Sequence, residues 1–538
     1  MDPDIDAVVN QSPFFGDRNL VADDAPLRGA AAANGVEPAA LLAFGAEWGA
    51  AERLALGRLA NENPPKLRTH DAWGRRADVV EFHPAYHALM GASVAAGLHA
   101  SVWDGADPAR PVPRGHAARA ARLYVVAGVE SGHLCPMTMT NAALAALAAA
   151  PDHLAAWLRR LTARAYEPAF RPWFEKPGVT LGMGMTEKQG GTDVRANRTR
   201  AEPAGGDTYA LTGHKWFFSA PMSDAFLVLA QAPGGLGCFL VPRHRPDGHV
   251  NALRLQRLKD KLGNRANASA EVEFAGAFGW RIGPEGRGIA TILGMVQLTR
   301  LDCAVASAGL ARMALALALH HARHRSVFGR RLVDQPLMHR VLADLALESE
   351  AWTALALRLA GSFDRGEGPR ARLLTPAVKA AICKGAPGFV YEAMECLGGN
   401  GYVEESPLPR LYREAPVNAI WEGSGNVMAL DVLRAATRAP EETGAVLDSL
   451  GREARGLPGV AEAVAGIAAD LRAPDAEARA RRAAGRIATL AAAAALAESA
   501  PPAIAEAYAA TRLAAPREMF GANAVDGVAA LLLERALP

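Results

Sequence analysis

The chain has 538 residues, enough for three or four domains at roughly 150 residues each. Half of it is hydrophobic and 21% is charged, which excludes wholesale disorder. Its 58 basic and 56 acidic side chains leave a formal charge of +2, which excludes a polycation that holds nucleic acid by bulk charge but leaves room for a local patch. Cys135, Cys238, Cys303, Cys383 and Cys396 form no CxxC pair, so neither a disulfide framework nor a zinc ribbon is expected, and a reducing, cytoplasmic setting is. The opening Met1-Asp-Pro-Asp-Ile-Asp6 lacks the basic-then-apolar pattern of a signal peptide. Apolar runs such as Ile487–Ala497 fall short of the ~20 residues that cross a bilayer, so no membrane span is expected.

From the start to about residue 180 the spacing of apolar residues is helical, in Leu41–Leu56, Pro84–His99, Ala117–Val129 and Thr138–Leu161. Asn61–Arg76, with its Pro, Asn and Gly, predicts a surface connector. Short runs at Tyr209–Leu211, Ala225–Ala230, Gly237–Val241 and Ala270–Phe274, separated by turn residues, predict a small antiparallel β domain over 181–285. Helical periodicity returns after Gly283–Gly288. Thr291–His321 and Pro336–Phe363 predict an antiparallel bundle over 286–441. Beyond Pro440, prolines at 458, 474, 501, 502 and 516 predict a string of shorter helices over 442–538. The fold class expected is mainly α with a β-barrel middle domain between a helical domain (1–180) and the bundle, plus the C-terminal helical region.

Five stretches carry chemistry. Gly182–Asp193 sets glycines beside hydroxyls, which suits an anion cradle or a plain tight turn; the spacing is not a dinucleotide-binding fingerprint. His214–Ser219 lines three aromatics up with a hydroxyl, as core packing or as the wall of a planar cofactor. Ile420–Asn426 places Glu422 between a tryptophan and two glycines, as a turn opening a helix or as a base in an apolar setting. Glu395–Tyr402 is a glycine-rich helix end, and Arg323–Arg331 a basic turn. His320 and His324 lie four apart on a helix but lack a third ligand, so no metal site is expected.

Taken in order, Met185-Thr-Glu…Gly190-Gly191-Thr192-Asp193, Lys215…Ser219, Gly286…Arg300, Arg325…Phe328-Gly329, Gly398-Gly399…Gly401-Tyr402 and Trp421-Glu-Gly423 resemble the acyl-CoA dehydrogenase flavoproteins. NENPP near the N-terminus, GMGMTEKQGGTD, RLKDKLGNRANAS and LPRLYREAPVNAIWEGSGN resemble the AidB-like, alkylation-response subgroup. The resemblance implies FAD held between barrel and bundle. Met185, Thr186, Gly190, Gly191 and Thr192 would line the flavin and its pyrophosphate. Phe217, Phe218 and Ser219 would meet the ring. Trp421, Gly423, Ser424, Gly425 and Asn426 would close the site, and Glu422 would be the catalytic base that takes an α-proton from an acyl thioester. Arg325, Phe328, Gly398 and Gly399 match positions that hold adenine and pyrophosphate across a subunit contact, which implies a homotetramer.

Two positions depart from the family pattern: Glu395 replaces a glutamine, and the adenine-contacting glutamine falls on Pro336, with Gln335 one place off. The subgroup also implies double-stranded DNA as a partner of the C-terminal region, through Arg434 and the cluster Arg479, Arg481, Arg482 and Arg486. Residues 441–538 nevertheless hold ten arginines, no lysine and thirteen acidic residues, a net of −3. Three functions compete: a DNA-binding flavoprotein that protects against alkylation with weak acyl-CoA dehydrogenase activity, a metabolic acyl-CoA dehydrogenase whose extra domain serves oligomerisation, and a non-enzymatic scaffold that keeps fold and flavin purely to bind DNA.

Overall fold

The computed structural model describes residues 7–104, 115–147, 150, 154–523 and 525–537. Two compact units emerge, and they interleave along the chain. A barrel unit comprises Ala55–Arg119 and Glu130–Asp302; a bundle unit comprises Met1–Leu54, Ala120–Val129 and Cys303–Pro538. By contacts, the first helices group with the last.

In the barrel unit, strand Thr208–Ser219 pairs antiparallel with Arg200–Gly205 and with Ser269–Ile282. Ser269–Ile282 also takes Gly235–Pro242 and Leu253–Leu258. Gly235–Pro242 pairs with Ala225–Ala232, which meets Arg200–Gly205 through Arg200 and Gln231 and so closes the ring. The sheet is not wholly antiparallel as expected: Leu181–Gly184 runs parallel to Ala225–Val228, and the closing bridge is parallel too. Closure leaves alternate side chains inside, where Tyr209, Phe218, Phe226, Phe239 and Phe274 form an aromatic core. The expected connector at Asn61–Arg76 is instead half of a hairpin, Lys66–His70 with Arg76–Glu81. Its alternating side chains bury Val80 in the barrel core, and Asp78 accepts from Leu255 N–H at 3.0 Å.

The helix expected over Thr138–Leu161 is two, Leu134–Leu147 and Ala155–Leu161. In the bundle unit, Pro336–Asp364, Gly368–Glu395 and Gly425–Arg438 pack together, and each also packs on Ala476–Ser499. The C-terminal helices thus pack within the bundle unit. Buried ion pairs explain the attachment: Arg512 bonds Asp344 and Glu348, and Arg535 bonds Glu350, all three carboxylates lying on the 336–364 helix. Near the start of the chain Asp24 caps a helix by accepting from Leu27 N–H, and also accepts from Arg312 Nε at 2.8 Å and Tyr124 Oη at 3.2 Å. Among the described residues one helix, Gly288–His324, is long and apolar enough to cross a membrane, and 94% of its most apolar stretch is buried within the protein.

Candidate functional site

The barrel unit presents one set of the expected site residues along a rim. Strand Leu181–Gly184 delivers Met185 and Thr186, whose carbonyls accept from Asn197 Nδ2 at 3.0 Å and Trp216 N–H at 2.9 Å. The turn that follows is tied down by Glu187. This fully buried carboxylate accepts from Arg198 N–H at 2.6 Å, Thr199 N–H at 3.1 Å, Thr199 Oγ1 at 2.7 Å, Gln189 Nε2 at 3.0 Å and Lys215 Nζ at 2.8 Å. Burial alone would raise its pKa, but these donors outweigh burial and hold it at about 2. The Lys215 ammonium, equally enclosed, is pulled down by burial to about 8 against the pull of Glu187. Gly190 takes φ +132°, a left-handed conformation that glycine adopts freely. A Cβ on Gly191 would collide with the Thr186 hydroxyl. The turn therefore lies against Thr186 only because Gly191 has no side chain, and it leaves Gly190, Gly191 and Thr192 exposed.

At the end of Thr208–Ser219 the side chains divide. Phe217 is 51% exposed, whereas Phe218 is wholly enclosed in the barrel core, its ring 4.1 Å from that of Phe226. This corrects the expectation for Phe218: its ring is core packing. The strand alternation that exposes Phe217 necessarily turns Phe218 inward. Ser219 Oγ is 3.0 Å from Ser269 Oγ, which in turn accepts from Lys261 Nζ at 3.1 Å. An exposed aromatic, half-buried Met185 and Thr186, the Ser219 hydroxyl and an exposed glycine turn fit a flavin: a flat apolar face, hydroxyls for the ring edge and a turn that phosphate can approach closely.

The bundle unit supplies the other set. Short helix Val417–Ile420 stops at Trp421, and Glu422 follows with φ +56°, an uncommon conformation for a residue with a side chain. Gly423 continues at φ +101°, and Ser424 stands before helix Gly425–Arg438 without a capping bond from its side chain. What holds this turn is Lys379, only 1% exposed, from helix Gly368–Glu395. Its Nζ donates to the Trp421 carbonyl at 2.9 Å and to the Gly423 carbonyl, the two acceptors that bracket Glu422. Trp421 Nε1 donates to Asn418 Oδ1 at 2.9 Å. The first N–H groups of the helix, from Gly425 and Asn426, suit an anionic group. Sequence reading missed Lys379, because 42 residues separate it from the turn and no local pattern links them; the same holds for Glu187 with Lys215.

Other expected residues occupy separate places. Phe328 is 99% exposed at the tip of the hairpin Ser326–Val327 with Arg330–Arg331, and Arg325 Nη1 donates to the Asn10 carbonyl at 2.8 Å. Gln335 Nε2 is tied back to the Val327 carbonyl at 2.9 Å while Pro336 opens the next helix. Gly398, with φ +58°, follows helix Gly368–Glu395, and Gly399 begins the short helix Gly399–Tyr402. Among the described residues no group of three or more metal-binding side chains exists, and His320 Nε2 lies 2.8 Å from the Pro13 carbonyl.

Three members of the arginine cluster converge on one buried carboxylate. Arg482 Nε lies 2.9 Å, Arg486 Nη1 3.3 Å and Arg479 Nη1 3.8 Å from the carboxylate of Asp470, whose side chain is 3% exposed. The hydrogen bond from Arg482, above all, lowers the Asp470 pKa. Arg479 also pairs with Asp475 at 2.7 Å. Arg481 is directed elsewhere: its guanidinium lies beside Gly425, at the start of the helix that follows Glu422. Arg434 pairs with Asp431 at 3.3 Å, an aspartate that also binds Arg372 at 2.7 Å.

Comparison with known proteins agrees with this layout. Residues 10–168 match the model of the adaptive response protein AidB N-terminal domain, 182–277 the acyl-CoA dehydrogenase middle domain, and 286–437 the acyl-CoA dehydrogenase C-terminal domain. The AidB protein of Escherichia coli (strain K12) is 52% identical over 434 residues, covering 79% of this chain and 80% of that one. Acyl-CoA dehydrogenase family member 11 of Caenorhabditis elegans is 36% identical over 402 residues, 70% of this chain and 63% of that one. A crystal structure of Caenorhabditis elegans ACDH-11 in complex with C11-CoA aligns with a TM-score of 0.84 at 29% identity, covering 95% of this chain and 94% of that one. Three consecutive domain models and a relative that shares half its residues over most of both chains establish the lineage: this chain belongs to the acyl-CoA dehydrogenase family of FAD-dependent flavoproteins, in its AidB-like branch.

Proposed function

We propose that this chain is an AidB-type flavoprotein that keeps weak acyl-CoA dehydrogenase chemistry, binds double-stranded DNA as a homotetramer in the cytoplasm, and protects against alkylation damage. The observation that carries the acyl-CoA part is the clamped turn: Lys379 fixes both carbonyls around Glu422, so the carboxylate is presented by a strained backbone rather than a pliant loop. FAD, when bound, supplies the hydride acceptor. Met185, Thr186, Phe217 and Ser219 would hold its ring, and Gly190–Thr192 its phosphates. The protein's own contribution is to receive the α-proton at the Glu422 carboxylate and to orient the thioester.

The DNA reading draws on the family relationship and on Arg434, Arg479, Arg481, Arg482 and Arg486. Around Asp470 three arginines face one buried carboxylate, and their side chains remain 40–52% exposed, so phosphate can replace Asp470 as the partner. The second reading, a metabolic dehydrogenase, is favoured by the same observation seen from the other side, since a resident aspartate already neutralises part of the cluster. A paired titration separates them. Duplex DNA is followed by fluorescence anisotropy at rising salt, and a panel of acyl-CoAs by flavin absorbance. Salt-sensitive DNA binding beside slight bleaching is expected; rapid bleaching with no DNA retention at low salt would reverse the assignment.

A further inference from the structure

Ser219, the last residue of strand Thr208–Ser219, sits directly across from Ser269, the first residue of strand Ser269–Ile282. Residues paired across adjacent strands project to the same face of a sheet, so the two hydroxyls meet, Oγ to Oγ at 3.0 Å. The loop that leads into Ser269 closes on this pair. Lys259 N–H donates to the Ser269 carbonyl at 2.8 Å. A turn then brings the loop back on itself: Asn267 N–H donates to the Asn264 carbonyl at 3.2 Å, and Asn267 Nδ2 to Asn264 Oδ1 at 3.1 Å. Asn264 takes φ +55°, a left-handed conformation that asparagine tolerates better than most residues with a side chain. The turn sets Lys261 against Ser269, where its Nζ donates to the Asn267 carbonyl at 2.8 Å and to Ser269 Oγ at 3.1 Å.

These contacts decide which hydroxyl donates. An ammonium has three donors and no acceptor, so toward Lys261 the Ser269 oxygen can only accept. Ser269 is 5% exposed, and among the described residues its hydroxyl has two partners, Lys261 and Ser219. Its single hydrogen therefore goes to Ser219 Oγ, the arrangement that leaves no buried donor unpaired. With the opposite direction, Ser219 donating to Ser269, the Ser269 hydrogen would be buried without an acceptor. Ser219 thus receives a bond and keeps its own hydrogen, and as a half-buried residue it can offer that hydrogen beyond the sheet. The cation polarises a chain of two hydroxyls, from Lys261 to Ser269 to Ser219, each bond strengthening the next.

We infer that Lys261 and Ser269 are positioning residues for the cofactor: they make Ser219 a committed hydrogen-bond donor toward the edge of the flavin ring. This rests on the reading that Ser219 meets the ring. Two-electron reduction adds electron density to the ring, so a donor aimed at its edge favours the reduced flavin and raises its reduction potential. Lys261 acts on the ring through Ser269 and Ser219, and the relay lies wholly within the barrel unit.

The test is the reduction potential of the FAD-loaded full-length protein, read by equilibration with a reference dye. Ser219→Ala, Ser269→Ala and Lys261→Met are each expected to lower the equilibrium constant for flavin reduction about tenfold, a fall of ~30 mV for a two-electron couple. Because the three residues form one chain, the double variant Ser269→Ala with Lys261→Met should fall no further than Lys261→Met alone. A cation acting only through space would shift the potential in Lys261→Met and leave Ser269→Ala at the wild-type value; that result overturns the inference, as do additive shifts in the double variant. A lowered potential in Ser219→Ala, with Ser269→Ala and Lys261→Met both unchanged, keeps Ser219 at the ring and discards the relay. No change in Ser219→Ala removes Ser219 from the ring, and the inference with it. Should Lys261→Met fail to fold or to hold FAD, Ser269→Ala decides alone.

Discussion

Replacing Lys379 by methionine tests whether the turn around Glu422 is held by one buried cation. Methionine nearly matches lysine in length and apolar volume but removes both donors. Two charge-assisted hydrogen bonds of ~1.5–3 kcal/mol each are lost, offset by the relief of no longer burying an ammonium, which leaves a net local loss of about 2 kcal/mol. The Glu422 backbone at φ +56° adds strain of ~1–3 kcal/mol that the clamp no longer counters. Hydrogen exchange reads this directly, because Trp421 N–H is bonded to the Val417 carbonyl at 3.0 Å and Met428 N–H to the Ser424 carbonyl at 2.9 Å, one on each side of the clamp. A loss of 2 kcal/mol accelerates exchange of peptides covering 417–428 roughly 30-fold, with slower change in the barrel. Reduction of the flavin at saturating acyl-CoA should fall at least tenfold, while the thioester's affinity changes little. Lys379→Gln, which keeps one donor, should fall between the two. Wild-type exchange over 417–428 in Lys379→Met would refute the clamp.

Three further outcomes follow from the ion pairs and the glycine turn. The Glu187 carboxylate has a native pKa of about 2 against an ordinary value near 4.5, so it stabilises the fold above about pH 4.5 and that contribution is lost as pH falls toward 2. The loss is on the order of 2 kcal/mol, and a denaturant series from pH 5 to 2.5 should show it in wild type but not in Glu187→Gln. Asp470→Ala frees Arg482 and Arg486, while Arg479 keeps Asp475, so DNA affinity should rise several-fold with a steeper salt dependence; an unchanged titration would exclude Arg482 and Arg486 from the DNA contact. Gly191→Ala drives a methyl group into the Thr186 hydroxyl and should weaken FAD retention roughly tenfold by ultrafiltration, whereas Gly190→Ala also strains a left-handed backbone and should do at least as much harm.

The order of helix, barrel and bundle was legible because each announces itself locally, by period-3.6 spacing in Pro336–Asp364 or alternation in Thr208–Ser219. The motif residues were legible for the same reason: Met185 to Thr192 and Trp421 to Asn426 are contiguous. Hairpin Lys66–His70 was hidden by prolines and polar residues that read as a loop, since its stability comes from seating Val80 and Asp78 on the barrel. Phe218 was misplaced because a run of three aromatics was read as one surface, whereas a strand must divide it. Lys379, Glu187 and Asp470 escaped notice because each acts on groups brought near by tertiary folding. The merging of the C-terminal helices with the bundle depends on carboxylates at Asp344, Glu348 and Glu350, which in sequence look like the polar face of an ordinary helix.

The interleaving of the two units has a consequence for synthesis on the ribosome. Asp24 needs Arg312, and Arg323 donates to the carbonyls of Leu533 and Leu537, so the bundle unit cannot complete its buried contacts until the last residues emerge. The barrel unit closes with Asp302, whose carboxylate receives Arg119 in two bonds of 2.7 Å, and it has all of its own partners more than 200 residues earlier. The nascent chain therefore carries a finished barrel while helix Ala25–Ala33 waits for helix Pro336–Asp364, a packing partner not yet translated. Stalled or truncated synthesis should yield a folded barrel bearing an unpaired N-terminal segment, the species on which chaperone binding and proteolysis would concentrate.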